Sequence, residues 1–435
     1  MAVSDLLPRL DGALSADLRP LVRAARDAAA AENARLYVVG GAVRDLLLGR
    51  PLVDVDIVVE GDATSLSRRV AQQTGGRVEA HDRFGTAKVL HNGPVSTGHG
   101  QSLDLAAART ETYARPGALP AVQPGTLAQD LARRDFTINA IALVLTPPDE
   151  GSLLDPFGGH KDIEAGLVRV LHDKSFVDDA TRIFRAVRYE QRLGFRMEPQ
   201  TESLARRDIR YLDAISGDRV RNELDLLLRE DAPERGLARL AEIGALERVG
   251  LPWHDAAWLS VKFAQARRAA PPGALLPEIY LGLLIYTMSL EEASAALQRL
   301  NFPRATDQAL RDVGPLKARL ADLARPDLQA SAAVHMLERF QPAALQTCAF
   351  ACDDEAARER LRRYLAEWRY VKSALDGHDL ARLGVAQGPR MGQLLTSLRD
   401  ARLDGQVRSR EDEESWVRRA LAGPTSAGPR HGEQR

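Results

Sequence analysis

VGGAVRDLLLGRPLVDVDIVV (39–59) is the stretch on which the fold turns. ARLYVVGG (34–41), which leads into it, reads as a strand ending in a tight glycine turn. AVRDLLLG (42–49) fits a short helix with Gly49 as its stop. VDVDIVVE (53–60) alternates and is rich in Val and Ile, so it reads as a second strand. Residues i and i+2 of a strand share a face, which sets Asp54 beside Asp56. Two carboxylates so placed share a hard cation such as Mg2+; without one they repel and one protonates. The plainer alternative is a pair of solvated strand-edge acids. Gly40 and Gly41 stand at the strand-to-helix junction, where glycine lets the backbone approach a ligand closely. The helix N-terminus behind them offers free N–H groups to a phosphate. Arg44 falls in the first turn, where an acid would suit the helix better, so an anion docking there explains it. A glycine turn, an arginine and a carboxylate pair together describe a site for a metal-bound polyphosphate.

Further out, DATSLSRRVAQQTG (62–75) has helical spacing and a terminal glycine. TAKVLH (86–91), SLDLAAAR (102–109) and INAIALVL (138–145) supply more strands. Irregular connections argue against a repeated βαβ array, so the expectation is an α+β head with a mixed sheet of about five strands. After about residue 160 apolar residues recur at helical spacing almost to residue 420, which predicts an all-helical remainder. The expected organisation is an N-terminal helical extension (1–33), a head (34–160), a neck (161–230), a body and tail (231–421), and a disordered Gly/Pro-rich end (422–435).

The chain has 435 residues, which at roughly 100–200 per domain means two to four domains. Its formal charge of −1 excludes a globally basic nucleic-acid binder but not a local basic face. No apolar run is long enough for a membrane span, and MAVSDLLPRL does not read as a secretory signal, so a cytoplasmic location is expected. Cys348 and Cys352 stand four apart on one helical face and read as small buried thiols. The sequence is silent on oligomeric state.

VGGAVRDLLLGRPLVDVDIVV resembles the signature of the class II nucleotidyltransferases, the bacterial-type tRNA CCA-adding enzymes and related poly(A) polymerases of the polymerase-β superfamily. RRDFTINAIAL (133–143), DPFGGHKDIEAG (155–166), DDATRIFRAVRYEQRLGF (178–195) and SGDRVRNELDLLL (216–228) are similar to the later motifs of that family, in order. The resemblance implies that Asp54 and Asp56 hold the catalytic Mg2+, with CTP and ATP as substrates and tRNA as acceptor. Asp104 is a candidate third carboxylate or a strand acid with a structural partner. Arg109 is a triphosphate ligand or a surface ion pair. For Arg133, Arg134 and Asp135 the resemblance implies ribose and triphosphate contacts, against a plain Arg–Asp bridge. Asn139 bonds the sugar or caps a turn.

Asp179, Arg182, Arg185 and Arg188 are spaced by three and form one polar stripe on the expected helix. Cytosine and adenine both present an exocyclic amine donor beside a ring-nitrogen acceptor. An Asp accepts from the amine and an Arg donates to the ring nitrogen; uracil and guanine reverse the pattern. The resemblance assigns that selection to Asp179 and Arg182, with Arg185 and Arg188 meeting the triphosphate or stacking. Asp178 stands where many members have Glu, which leaves its role open. Residues 182–210 carry eight Arg against four acids, a local positive face suited to an RNA acceptor stem. Arg390, in GHDLARLGVAQGPRMGQLL (377–395), binds an RNA phosphate or merely opens a helix. TETYARPGALPAVQPGTL (110–127) reads as a mobile loop, and its presence mildly favours competence for adding A. The rivals to CCA addition, whole or partial, are a poly(A) polymerase and a catalytically inactive RNA-binding relative.

Overall fold

β1 (Arg35–Val39) and β2 (Asp56–Glu60) pair antiparallel near the middle of a mixed sheet. In the computed structural model, which describes residues 6–52, 54–81, 85–90, 102–270 and 276–422, that sheet has seven strands rather than about five. The others are β3 (Arg77–His81), β4 (Thr86–Leu90), β5 (Ser102–Ala107), β8 (Ala142–Val144) and β9 (Leu153–Leu154), and β6 (Arg109–Thr112) and β7 (Ala121–Pro124) form a separate hairpin. The order is β3-β4-β5-β2-β1-β8-β9, and β2–β5 is its one parallel pair. The two added strands are weakly marked in sequence: RVEAH carries three polar residues in five, and β9 has only two residues.

α1 (Leu6–Ala13) and α2 (Leu18–Glu32) precede the sheet, α3 (Gly41–Leu47) links β1 to β2, and α4 (Ala63–Thr74) follows β2. α2 and α4 pack on each other and on the sheet. Asp62 caps α4 by accepting from the Ser65 N–H at 3.0 Å, and Gly75 ends it in the left-handed region at φ 68°. A second apolar layer joins Tyr37, Val39, Val58 and Val144 to Leu127 and Leu131 of α5 (Leu127–Ala132). Glu60 secures α5: it accepts from the Leu127 N–H at 2.9 Å and from the Tyr37 hydroxyl at 3.0 Å.

Helices follow: α6 (Gly159–Ala165), α7 (Ser175–Asp178), α8 (Arg182–Leu193), α9 (Pro199–Asp208), α10 (Gly217–Leu228), α11 (Pro233–Ile243) and α12 (Ala245–Arg248). The chain divides into two compact units, Met1–Pro252 and Trp253–Arg435. The second is helical throughout its described residues. Its core packs the helices Leu276–Thr287, Arg304–Lys317, Pro342–Ala351 and Glu355–Ala366 on one another. Cys348 and Cys352 are free and buried there. A smaller cluster around Leu380, Leu398 and Val417 holds the last helices. The expected disordered end lies, from residue 423, outside the described residues. No helix among the described residues is long and apolar enough to cross a membrane.

Four local expectations change. β2 begins at Asp56, so Asp54 precedes the strand. Residues 137–139 form a 3-10 turn, leaving only Ala142–Val144 as strand, because Asp135 draws in the Phe136 N–H and the Asn139 amide. Asp179 lies extended between α7 and α8 rather than on one helix, its carboxylate bonded to Thr181. Residues 110–127, expected as one loop, instead run through the β6–β7 hairpin, whose connection is 113–120, into α5.

Candidate active site

The register of β4, β5 and β2 aligns Lys88, Asp104 and Asp56 in one row across the sheet. This row floors a cleft of about 1010 Å3, all of it within the first compact unit. Lys88 Nζ meets Asp104 Oδ2 at 3.4 Å. The Asp56 carboxyl is raised above its ordinary value by desolvation on the cleft floor; Arg134 opposes that, while Asp104 and Asp54 add to it. Asp54 is exposed and off the lined wall, near enough to act on Asp56 by charge. Among the described residues no three His, Cys, Asp or Glu side chains converge into a ready-made metal site. The donor chemistry nonetheless fits a hard divalent cation: the Asp56 and Asp104 carboxylates stand side by side on adjacent strands, and Asp56 is raised first by desolvation and then by Asp104 and Asp54.

One wall rises from the glycine turn. Gly40 has φ 70°, and a Cβ there would stand 2.6 Å from Arg134 Nη1, so glycine admits that guanidinium to the cleft. Arg134 pairs with Asp130 at 3.0 Å. Arg44, expected as a free anion ligand, is buried: Nη1 donates to Asn139 Oδ1 at 2.7 Å, and Nε and Nη2 grip Asp45. Asn139 in turn donates to Asp135 Oδ1 at 3.0 Å, and Arg185 binds Asp135 Oδ2 through Nε and Nη2 at 2.9 and 2.6 Å. Desolvation alone would raise the Asp135 carboxyl; Arg185 and Asn139 outweigh it and hold it below its ordinary value. Asn139 thus serves a protein network from the turn it closes, while still lining the cleft.

The rest of the lining comes from the Asp179–Thr181 link, α8, α10 and the β6–β7 hairpin. Asp179 Oδ1 accepts from the Thr181 N–H and hydroxyl at 3.0 and 2.6 Å, and Oδ2 meets Arg219 Nη2 at 2.8 Å. Arg182 Nη1 donates to Ser175 Oγ at 2.8 Å and Nη2 to the Arg133 carbonyl at 2.8 Å. Glu111 gathers Arg109 at 3.0 Å, Arg133 at 2.8 Å and the Tyr113 hydroxyl at 3.1 Å. Burial, and then the Glu111 charge, push the Tyr113 hydroxyl up to about 12. Among the described residues, Arg109 Nε and Arg134 Nε are buried without a hydrogen-bond partner.

Gly40, Gly41, Arg44, Asp56, Asp104, Arg109, Arg134, Asn139, Asp179, Arg182 and Arg185 therefore share one cleft, while Arg188 lies behind its wall. Arg188 is buried, 3.7 Å from Glu223, with its guanidinium over the Tyr189 ring at 5.2 Å. Arg44 and Arg185 lie over the same ring, at 5.2 and 5.7 Å. Asp178 turns away from its neighbour Asp179: it lines a second cleft of about 580 Å3 and stands 3.8 Å from His172. Arg390 is exposed in the first turn of the helix Pro389–Leu403, in the second compact unit.

Glu111, Tyr113, Tyr189, Arg219 and Glu223 also line the main cleft and were not singled out from the sequence. Tyr189 and Glu223 carried a findable signal, helical spacing from Arg185 and Arg219 within motifs already quoted. Glu111 and Tyr113 carried none, since they reach the site only through the hairpin.

Residues 36–169 match the model of the poly A polymerase head domain, and residues 194–255 that of a probable RNA and SrmB-binding site of polymerase A. The chain is 33% identical over 401 residues to the A-adding tRNA nucleotidyltransferase of Geobacter sulfurreducens; the match covers 87% of this chain but 44% of that longer protein. It is 33% identical over 392 residues to the CC-adding tRNA nucleotidyltransferase of Deinococcus radiodurans, covering 90% and 91% of the two. The fold is similar to the Thermotoga maritima CCA-adding enzyme complexed with tRNA, with TM-score 0.74, 30% identity and coverage of 97% and 99%.

Proposed function

From the premise that the chain belongs to the tRNA nucleotidyltransferase family, we propose that it adds C, A or both to the 3′ end of tRNA from CTP and ATP, releasing pyrophosphate, without a nucleic-acid template. The observation that carries this reading is that the Asp56 and Asp104 carboxylates line the same cleft as Asp179 and Arg182. Asp54 and Asp56 are the residues that would hold Mg2+, with Asp104 beside them. When bound, the cation supplies charge neutralisation for an in-line displacement at the α-phosphate.

The chain's own residues do the rest. Arg109 and Arg134, each with a buried Nε–H that has no partner among the described residues, bind the triphosphate. Asp179 accepts from the exocyclic amine of cytosine or adenine, and Arg182 donates to the adjacent ring nitrogen. Arg44, Asn139, Asp135 and Arg185 form a fixed ladder that keeps the wall in place between substrates. Residues 34–160 serve as the catalytic head, 161–230 as the selecting neck, and the later helices as the tRNA-binding body and tail.

The test is nucleotide incorporation by the purified chain with Mg2+. Three tRNAs, ending at the discriminator base, at –CC and at –CCA, are each given CTP, ATP or both. Extension of truncated ends to –CCA followed by a stop identifies a full CCA-adder. CTP addition halting at –CC, or ATP addition only onto –CC, identifies a partial one. Long A tails make it a poly(A) polymerase, and tRNA binding with no transfer refutes the enzyme reading.

A further inference from the structure

We propose that Arg219 is a positioning residue for nucleotide selection: it fixes the plane of the Asp179 carboxylate and ties it to the β6–β7 hairpin, leaving one acceptor lone pair to read the base. The inference rests on the proposed function and deepens it at the same cleft.

Asp179 needs such a partner. It sits in extended backbone, φ −145° and ψ 99°, between two helices, so no helix packing holds its side chain. A carboxylate offers about four lone-pair sites. Thr181 takes both on Oδ1, through its N–H at 3.0 Å and its hydroxyl at 2.6 Å. Arg219 Nη2 takes one on Oδ2 at 2.8 Å. What remains toward the cleft is a single acceptor on Oδ2. Cytosine and adenine meet it with an amine; uracil and guanine meet it with a carbonyl, acceptor against acceptor.

Arg219 has a second anchor. Its Nη1 donates to the Gly117 carbonyl at 3.3 Å, at the tip of the hairpin. Gly117 has φ 75°, and a Cβ there would lie 2.6 Å from the Ala214 carbonyl oxygen, so the tip is seated closely on the turn before α10. One guanidinium thus spans α10, the hairpin and the selecting carboxylate. The pair is partly solvated, with side chains 24% and 18% exposed, so its value lies in orientation more than in stability. Freed from Arg219, the Asp179 carboxylate turns on its Thr181 bonds and opens a second lone pair. A water then bridges to a uracil or guanine carbonyl, and the mismatch is no longer refused.

The experiment measures kcat/KM for CTP, ATP, UTP and GTP on truncated tRNA, using the full chain and folded variants checked by thermal melting. Arg219→Met is expected to lose about tenfold or more of the discrimination against UTP and GTP, with a smaller change in kcat for the preferred nucleotide. Gly117→Ala, which pushes the hairpin tip off Ala214, shifts discrimination the same way by less. Arg219→Lys keeps the charge but cannot span both anchors, so it rescues discrimination only in part, and it decides the matter if Arg219→Met does not fold. A purely structural role lowers kcat for all four nucleotides equally; an unchanged discrimination ratio in a folded variant overturns the proposal while leaving the enzyme reading intact. A wild-type chain that transfers no nucleotide overturns both.

Discussion

At the residue scale, Asp56 and Asp135 are carboxylates with opposite environments. Asp56 is raised by desolvation and by its acidic neighbours, so its charge is held against local preference. Asp56→Asn is therefore expected to abolish nucleotide transfer while leaving the melting temperature unchanged or higher; a clear drop in melting temperature would mean the carboxylate is structural. Asp135 is held low by Arg185 and Asn139 despite burial. Asp135→Asn removes the closest carboxylate from the Arg185 guanidinium, which keeps only Glu223 at 3.5 Å, at a cost of about 3 kcal/mol by denaturant unfolding near neutral pH. A carboxyl lowered in the folded state contributes stability that is full above its unfolded value, about 3.9, and is lost as pH falls through the folded one. The stability gap between wild type and Asp135→Asn should accordingly close in acid; a gap that is constant with pH excludes the ion pair as its source. The place of Asp56 at the cleft was legible from strand spacing, whereas Asp179 was reached only through the family resemblance, since the helical stripe its spacing suggested is not formed. Glu111 and Arg219 were not legible, because each has a partner that only the fold brings near: Arg133 for the first, Gly117 and Asp179 for the second.

At the element scale, helices and long strands followed from periodicity, and the corrections fall where side chains compete with the backbone. INAIALVL is an almost unbroken apolar run with three β-branched residues, like a buried strand, yet its first residues turn because Asp135 and Asn139 bond locally. The same kind of competition explains the third motif, DPFGGHKD. Asp155 accepts from the N–H groups of Gly159 and His160 at 2.7 and 2.9 Å, which starts α6. Gly159 is then pressed onto the Thr137 carbonyl, with room for no Cβ, and a Cβ would also come within 2.9 Å of Ile141. α6 thereby props the turn that carries Asn139. Gly159→Ala should cost about 1–3 kcal/mol in denaturant unfolding. In the folded fraction it should weaken CTP and ATP binding, since Asn139 moves with the turn. Nucleotide affinity unchanged in a destabilised variant would confine Gly159 to folding alone.

At the scale of the whole molecule, every described residue that walls the main cleft belongs to the first compact unit, Met1–Pro252. Nothing the nucleotide touches has to come from the second. A tRNA makes different demands: a long polyanion binds through many phosphate contacts, and each contact steepens the fall of log K with log salt by about 0.7–0.9. If the later helices supply such contacts, the two substrates separate physically when the chain is cut. A fragment ending at Pro252 should melt cooperatively and bind CTP or ATP about as well as the full chain, because its core and its cleft are its own. It should bind tRNA more weakly, with a shallower salt slope, and transfer nucleotides poorly to tRNA at low RNA concentration. At saturating RNA its transfer rate should recover, since the reacting groups are all present. A fragment that matches the full chain in tRNA affinity and salt slope would remove the second unit from RNA binding. A folded fragment that stays inactive at saturating RNA would instead mean that the second unit aligns the acceptor end, a role in orientation rather than affinity.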